Sequence, residues 1–248
     1  MDTINLLLSH RSIRKFKQQP IEKSLLDRIL ECGTRAANTG NMQIYSIIVT
    51  QTPENIAALS KLHFGQCSTA GAFLTLCVDV NRYHHWCRIN GCNEPYDNFL
   101  WLMSGTVDAS LAAQNICIAA EAEGLGCCYL GTVMYNTKAI IEQLDLPEQV
   151  IPVITLALGY PSEQPALSER LPLSGIVHNE QYHDYSDEAI KDIHRVREEF
   201  PFNKEMVEVN KVKNLAELFT QKRYPKDDNV RISNDLLKVV TDRGMMNQ

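Results

Sequence analysis

Between Asn98 and Glu123 the residues are apolar or small nearly all round, among them Gly105, Ala109, Ser110, Ala112, Ala113, Ala119 and Ala120. The stretch has the length and composition of a long helix. A surface helix keeps one polar face, whereas a helix apolar on every side is buried. Small side chains also let neighbours approach its backbone closely, so it serves either a core or a subunit interface. The rest of the fold must be arranged around it. Gly124 ends it, in the position where a glycine takes the left-handed conformation after the last turn. Asp108 is a carboxyl inside this apolar element, with no role evident from the sequence.

Four strands accompany this helix. Gln43–Thr50 is β-branched, and Ala72–Val80 is a near-continuous apolar run suited to a strand buried on both faces. Cys127–Val133 and Val150–Gly159 are the other two. Helices are expected at Asp2–Ser9, and along Leu25, Leu26, Ile29, Leu30 and Cys32, where Gly33 weakens the pattern locally. A third starts at Thr52-Pro53-Glu54, with a capping hydroxyl, a first-turn proline and a carboxylate at the positive dipole end. Further helices are Asn136–Leu146, Ser186–Phe200, Leu215–Tyr224 and Ser233–Arg243. Asn81–Asp97 and Tyr160–Tyr185 are expected to be irregular. Strands alternating with helices usually suggest a doubly wound parallel sheet, but no strand leads into a G-x-G-x-x-G turn.

The formal charge of −6 over 248 residues gives the chain no basic footprint for nucleic acid. No apolar run approaches the ~18–20 residues of a membrane span, and the N-terminus lacks a signal-peptide pattern. The expectation is a cytoplasmic protein without nucleic-acid or membrane partners, its eight irregularly spaced cysteines held as thiols.

Against that acidic background, His10-Arg11-Ser12-Ile13-Arg14-Lys15-Phe16 stands out. It gathers three permanent cations, a histidine and a hydroxyl beside an apolar run. Arginine forks match phosphate oxygens bidentately, and Ser12 adds a neutral donor. The functional interpretation is an anchor for a phosphorylated ligand; the bland one is a solvated basic turn.

This stretch, followed by Pro20, resembles the FMN-binding signature of the nitroreductase family, in its branch of NADPH-preferring nitroreductases and flavin reductases. The resemblance continues through Asn41-Met42-Gln43, His63-Phe64-Gly65-Gln66, Gly124-Leu125-Gly126, Tyr129-Leu130-Gly131 and Leu158-Gly159-Tyr160-Pro161. It closes with Glu169-Arg170-Leu171-Pro172 and Val177-His178. The ordered set, more than any one piece, is specific. It implies an α+β fold: a mixed, mostly antiparallel central sheet flanked by helices, built as an intertwined homodimer. Residues 1–185 would form the FMN-binding domain, and residues 186–248 a helical arm of that domain, wrapping the dimer or supplying a nucleotide or substrate loop.

The resemblance implies an FMN-dependent NAD(P)H oxidoreductase that reduces nitroaromatics, quinones or free flavin by ping-pong hydride transfer through flavin N5. FMN would be tightly bound and NAD(P)H the cosubstrate. Such chemistry requires no protein acid, base or nucleophile, only orientation and electrostatics. Carried over residue by residue, His10 and Arg11 contact the FMN phosphate, joined by Arg170, with Ser12 in the same cluster. Arg14 approaches the N1/O2 edge, where a cation offsets the negative charge of the reduced ring. Gln66 bonds the pyrimidine edge, and Tyr129, Leu130 and Gly131 lie along one ring face. Asn38, Thr39, Asn41 and Gln43 match the segment that reaches the flavin of the other subunit.

Two features depart from the family pattern. Ser168 stands where relatives carry a phosphate-binding lysine, and no nicotinamide-phosphate loop is recognisable between Phe200 and Lys226. His84-His85-x-Cys87 with Cys92 is one ragged group without the paired knuckles of a structural zinc site, so no metal is expected. It is taken as a flexible aromatic loop near the substrate mouth, with Trp86 as a lid residue. Two alternatives stay open: a flavin-binding redox sensor or carrier, and an FMN enzyme of different chemistry such as dehalogenation or flavin fragmentation.

Overall fold

In the computed structural model, which describes residues 2–93 and 96–247, the chain opens with α1 (Thr3–Leu8), capped by the Asp2 carboxylate on Asn5 N. There follow α2 (Lys23–Thr34), β1 (Tyr45–Thr50), α3 (Pro53–Leu62), β2 (Ala72–Asp79), α4 (Asn81–Ile89) and α5 (Phe99–Ala122). Then come β3 (Gly126–Leu130), α6 (Thr137–Gln143), β4 (Val150–Gly159), α7 (Asp187–Glu198) and α8 (Pro201–Val209). The last helices are α9 (Leu215–Leu218), continued by a π turn at Phe219–Arg223, and α10 (Lys226–Asp242). The chain divides into two compact units, Met1–Ala166 with Asn234–Gln248, and Leu167–Ser233.

The first unit is built on a four-stranded antiparallel sheet in the order β1-β2-β4-β3. Every residue of the central strand β2 is buried, as its unbroken apolar run requires. The cationic segment adds single bridges at the sheet margin: Ser12 pairs parallel to Cys127 and Phe16 antiparallel to Pro161. The sheet is thus mixed and mostly antiparallel, as expected, and the architecture is α+β.

Helix α5 lies against the sheet and against α2, and its small residues explain both approaches. A Cβ on Gly105 would meet Val78 Cγ1 at 2.6 Å, and one on Gly33 would meet Ile116 Cγ1 at 2.5 Å. Gly33 lies at the end of α2, one residue before its last, and lets the two helices approach closely there. Within one chain the burial of α5 is one-sided. Ala109, Ala112, Ala113, Ile116 and Ala120 are enclosed, while Phe99, Leu100, Met103, Val107 and Leu111 remain exposed. On the other side of the sheet, Ile13 and Phe16 pack with Ile56, Leu59, Phe73 and Ala157. The cationic segment is anchored by its own two apolar residues.

Two expectations about secondary structure are corrected. Residues 81–89 form α4 and not an irregular loop: His84 and Cys87 turn inward from one face, and His84 Nδ1 lies 2.8 Å from Gln149 Oε1. Its histidines, tyrosine and cysteine are weak helix formers, so tertiary packing overrides propensity there. Trp86 is an exposed residue of that helix, not of a flexible loop. In the second unit α8 begins at Pro201, a first-turn proline whose signal was present in the sequence. Among the described residues no helix is long and apolar enough to cross a membrane.

Candidate active site

The backbone of the cationic segment is held at several points. Ile13 N donates to Cys127 O at 2.8 Å, Phe16 N to Thr69 Oγ1 at 3.0 Å, and Lys17 N to Tyr160 O at 2.8 Å. Between these points one carboxylate oxygen, Glu163 Oε1, accepts from both Arg14 N (2.7 Å) and Lys15 N (2.9 Å). Glu163 was not singled out in the sequence, and nothing there signals a partner 149 residues away.

The side chains of this segment differ in what they find. His10 Nδ1 is 2.6 Å from Glu121 Oε1 on α5, with the Cys117 thiol one turn earlier on the same helix. Ligand atoms of His10, Cys117 and Glu121 lie within 4.8 Å of one another, and the short imidazole–carboxylate distance is that of a direct hydrogen bond. Among the described residues Arg11 reaches Ser9 O, at 3.5 Å, and its Nε is buried with no hydrogen-bond partner. An orphaned guanidinium N–H is the kind of donor an anion satisfies. A cavity of about 580 Å³ opens beside it, lined by Arg11, Lys17, Glu121, Gly126, Ser162 and Glu163, among others.

Two further segments bracket the end of β3. His63-Phe64-Gly65-Gln66-Cys67 turns sharply, with positive φ at Phe64, Gly65 and Cys67, and Ser60 Oγ donates to Gln66 O at 2.9 Å. The buried His63 bonds Thr132 Oγ1 through Nδ1 at 2.7 Å, and burial drives its pKa from 6.5 down to about 4. Asn136 Nδ2 adds a 2.6 Å bond to Leu62 O. The turn bearing Gln66 is thereby joined to the turn after Gly131. Leu130 is buried; Tyr129 is partly exposed, with its hydroxyl donating to Gln114 Oε1 at 3.2 Å. The space beside the Cα of Gly131 is open: apart from its chain neighbours and its own helical turn, no described atom lies within 4 Å of where a Cβ would sit. Under these turns Cys67 and Cys128 share one apolar cluster; Cys128 pushes the Cys67 thiol up, and Cys67 first, with Arg14 adding to it, lowers Cys128.

The Asn38–Gln43 turn is a separate feature, and Asp108 explains it. Asp108 Oδ1 accepts from Thr39 N at 2.9 Å and Thr39 Oγ1 at 3.1 Å. Asn38 Oδ1 takes Gln43 N at 3.2 Å, and Gln43 Nε2 bonds Thr34 O at 3.2 Å. Asn41 and Gln43 hold φ values of +56° and +51°. The carboxyl without a role in the sequence is thus the anchor of this turn.

Arg170 belongs to the second unit, where its Nη1 donates to Ser168 Oγ at 2.7 Å and to Glu169 O at 3.0 Å. Ser168, in the place of the expected lysine, is therefore a partner of the arginine. Glu169 turns to Asn203 Nδ2 at 2.9 Å and to Arg197 Nε at 3.6 Å.

Comparison with known proteins follows the same segments. The model of the Nitroreductase family matches residues 7–76 and 104–160. The FMN reductase (NADPH) of Bacillus subtilis is 34% identical over 191 residues, covering 75% of this chain and 77% of that protein. The oxygen-insensitive NADPH nitroreductase of Salmonella typhimurium is 34% identical over 192 residues, covering 76% of this chain and 78% of its own. A crystal structure from Bacteroides fragilis NCTC 9343 superposes with a TM-score of 0.96 at 40% identity, over 98% of this chain and 100% of that one.

Proposed function

The chain belongs to the nitroreductase family, and from that premise we propose that it is an FMN-dependent NAD(P)H oxidoreductase acting on small electron acceptors: nitroaromatics, quinones or free flavin. The observation that carries this is the cationic segment His10–Lys15. It is pinned by Glu163 and by backbone bonds to Cys127, Thr69 and Tyr160, yet one of its guanidinium donors is buried and unpaired. An unsatisfied guanidinium donor beside an open groove fits a phosphate monoester.

Bound FMN supplies the hydride acceptor and donor, at its N5. The residues of this chain bind and orient it. Arg11, with His10 and Ser12, would hold the phosphate. Arg14 would sit at the N1/O2 edge and Gln66 at the pyrimidine edge. Tyr129, Leu130 and Gly131 would border the ring face, where the open space beside Gly131 leaves room for a flat ligand. Nicotinamide and acceptor would use that face in turn, a ping-pong cycle.

A homodimer is part of the proposal. Ile4, Leu7 and Leu8 of α1 and Phe99, Leu100, Met103, Val107 and Leu111 of α5 are exposed large apolar residues on a single chain. A second copy would cover them, and the Asn38–Gln43 turn would reach the partner's flavin. Residues 186–248 would serve as the arm of this assembly. The test is steady-state oxidation of NADPH and NADH by the FMN-loaded protein, with a nitroaromatic and a quinone as acceptors. Turnover with at least one pair is expected, and none with any pair would defeat the proposal.

A further inference from the structure

We propose that His10, Cys117 and Glu121 form a binding site for a divalent cation of the zinc class, which would join the cationic segment to α5. His10 Nδ1, the Cys117 thiol and a Glu121 carboxylate oxygen lie within 4.8 Å of one another. Cys117 and Glu121 both belong to α5, and their spacing of four residues puts them on one face of it. His10 comes to them from beyond the end of α1, 111 residues from Glu121 in the chain. That separation is why no metal motif can be read in the sequence. Burial is graded across the three. Cys117 is 1% exposed, and the side chains of Glu121 and His10 are 14% and 27% exposed. The thiol is the floor of the site and the imidazole its outer edge. Glu121 also lines the groove beside Arg11, which gives an ion a way in.

The donor set selects the ion. A thiolate, an imidazole and a carboxylate suit zinc and its borderline neighbours, whereas magnesium and calcium require oxygen ligands throughout. Two anionic ligands and one neutral ligand balance a divalent charge, so the loaded site carries no net charge. Around a tetrahedral ion with bonds of about 2.0–2.3 Å, ligand atoms stand roughly 3.3–3.7 Å apart. His10 Nδ1 and Glu121 Oε1 are 2.6 Å apart, so they need to separate by less than ~1 Å to admit the ion. The ion takes the Nδ1 lone pair, which leaves the ring's one proton on Nε2, and the Cys117 thiol gives its proton to solvent as it binds. Cys127 of β3 borders the site through its thiol, which donates to Cys117 O at 3.7 Å, but is not one of the three. Three protein ligands leave the fourth position of the ion to water. The site takes nothing from a flavin, and stands or falls apart from the FMN proposal.

The experiment titrates the full-length protein, supplied with FMN and freed of metal by dialysis, with zinc chloride in competition with a chromophoric chelator. One zinc per chain is expected, undisturbed by millimolar magnesium, with a melting temperature that rises on loading. Cobalt(II) in place of zinc should give the intense ligand-field bands of a tetrahedral ion, in the red and clear of the flavin absorption. Cys117→Ala and Glu121→Ala should each weaken zinc binding by more than the roughly 10–100-fold typical of losing an outer-shell partner. Circular dichroism reports whether each variant is folded, and the cobalt spectrum of the wild type decides the geometry without any variant. No zinc bound at micromolar free ion, an octahedral cobalt spectrum, or an affinity unchanged in either folded variant would overturn the inference while leaving the FMN site intact. Zinc bound as expected by a protein that retains no FMN would support this site and defeat the FMN proposal instead.

Discussion

His63 Nδ1 lies 2.7 Å from Thr132 Oγ1, and this bond joins the turn that carries Gln66 to the turn that follows Tyr129–Gly131. The imidazole is fully enclosed, stands edge-on to Phe73, and leaves Nε2 buried without a partner. Two segments proposed to hold the flavin ring are thus set relative to each other by a neutral histidine.

A pH dependence follows from it. Burial lowers the pKa of His63 from 6.5 to about 4, so the native state resists a proton that the unfolded chain accepts. Its contribution is complete above pH 6.5 and declines as the pH falls from there toward 4, by about 1.4 kcal/mol per unit. Urea melts at pH 7, 5.5 and 4.5 should show this slope in the wild type and a shallower one in His63→Gln. Equal slopes would contradict it.

Asp108 is expected to matter for the turn it anchors. Asp108→Leu leaves Thr39 N and Oγ1 without their acceptor and should cost about 1–3 kcal/mol. Asp108→Asn keeps an acceptor oxygen and should cost less. The comparison is made by denaturant unfolding, and the Leu variant should also release FMN more readily if the turn reaches a partner's flavin.

Close packing at α5 is tested by Gly105→Ala. An added Cβ would stand 2.6 Å from Val78 Cγ1 and 3.2 Å from Ile44 O, a carbonyl that a side-chain rotation cannot move. The gain in helix propensity is about 1 kcal/mol, and the overpacking penalty of about 1–3 kcal/mol should exceed it. A stabilised variant, read from its melting temperature, would show that the sheet yields more easily than these distances imply.

The arginines should separate by role. Arg14→Ala is expected to lower the flavin midpoint potential and slow reduction by NAD(P)H, with a loss on the order of 1–3 kcal/mol for removing charge beside a partly buried anion. Arg11→Ala should chiefly weaken FMN retention. Spectroelectrochemistry of the two variants decides this; an unchanged potential in an FMN-loaded Arg14→Ala protein would contradict the assignment.

Most of this architecture was legible because its elements are locally consistent. The apolar run of β2, the small-residue surface of α5, and Gly124 at φ +79° each declare their conformation in the sequence. What the sequence concealed lies in long-range polar pairs. Glu163 on the Arg14 and Lys15 amides, Glu121 on His10, and Asp108 on Thr39 are single carboxylates with no local motif around them. Helix α4 was hidden for a related reason, since its inward residues are a histidine and a cysteine that only tertiary packing identifies as core.

Dilution tests the shared site. If the apolar faces of α1 and α5 are covered by a second copy, light scattering down to nanomolar concentration should show a dimer, with FMN release and dissociation occurring together. A folded monomer that keeps its FMN would remove the assignment of Asn38–Gln43 to a site between chains.

The most direct test of the central claim is the reductive half-reaction in isolation. The full-length protein, loaded with FMN under anaerobic conditions, is mixed with NADPH or NADH in a stopped-flow spectrometer, and the flavin absorbance is followed. Rapid bleaching by one of the nucleotides, with recovery when a nitroaromatic or quinone is then added, is the predicted result. A protein whose flavin is bleached by dithionite but by neither nucleotide would contradict the account.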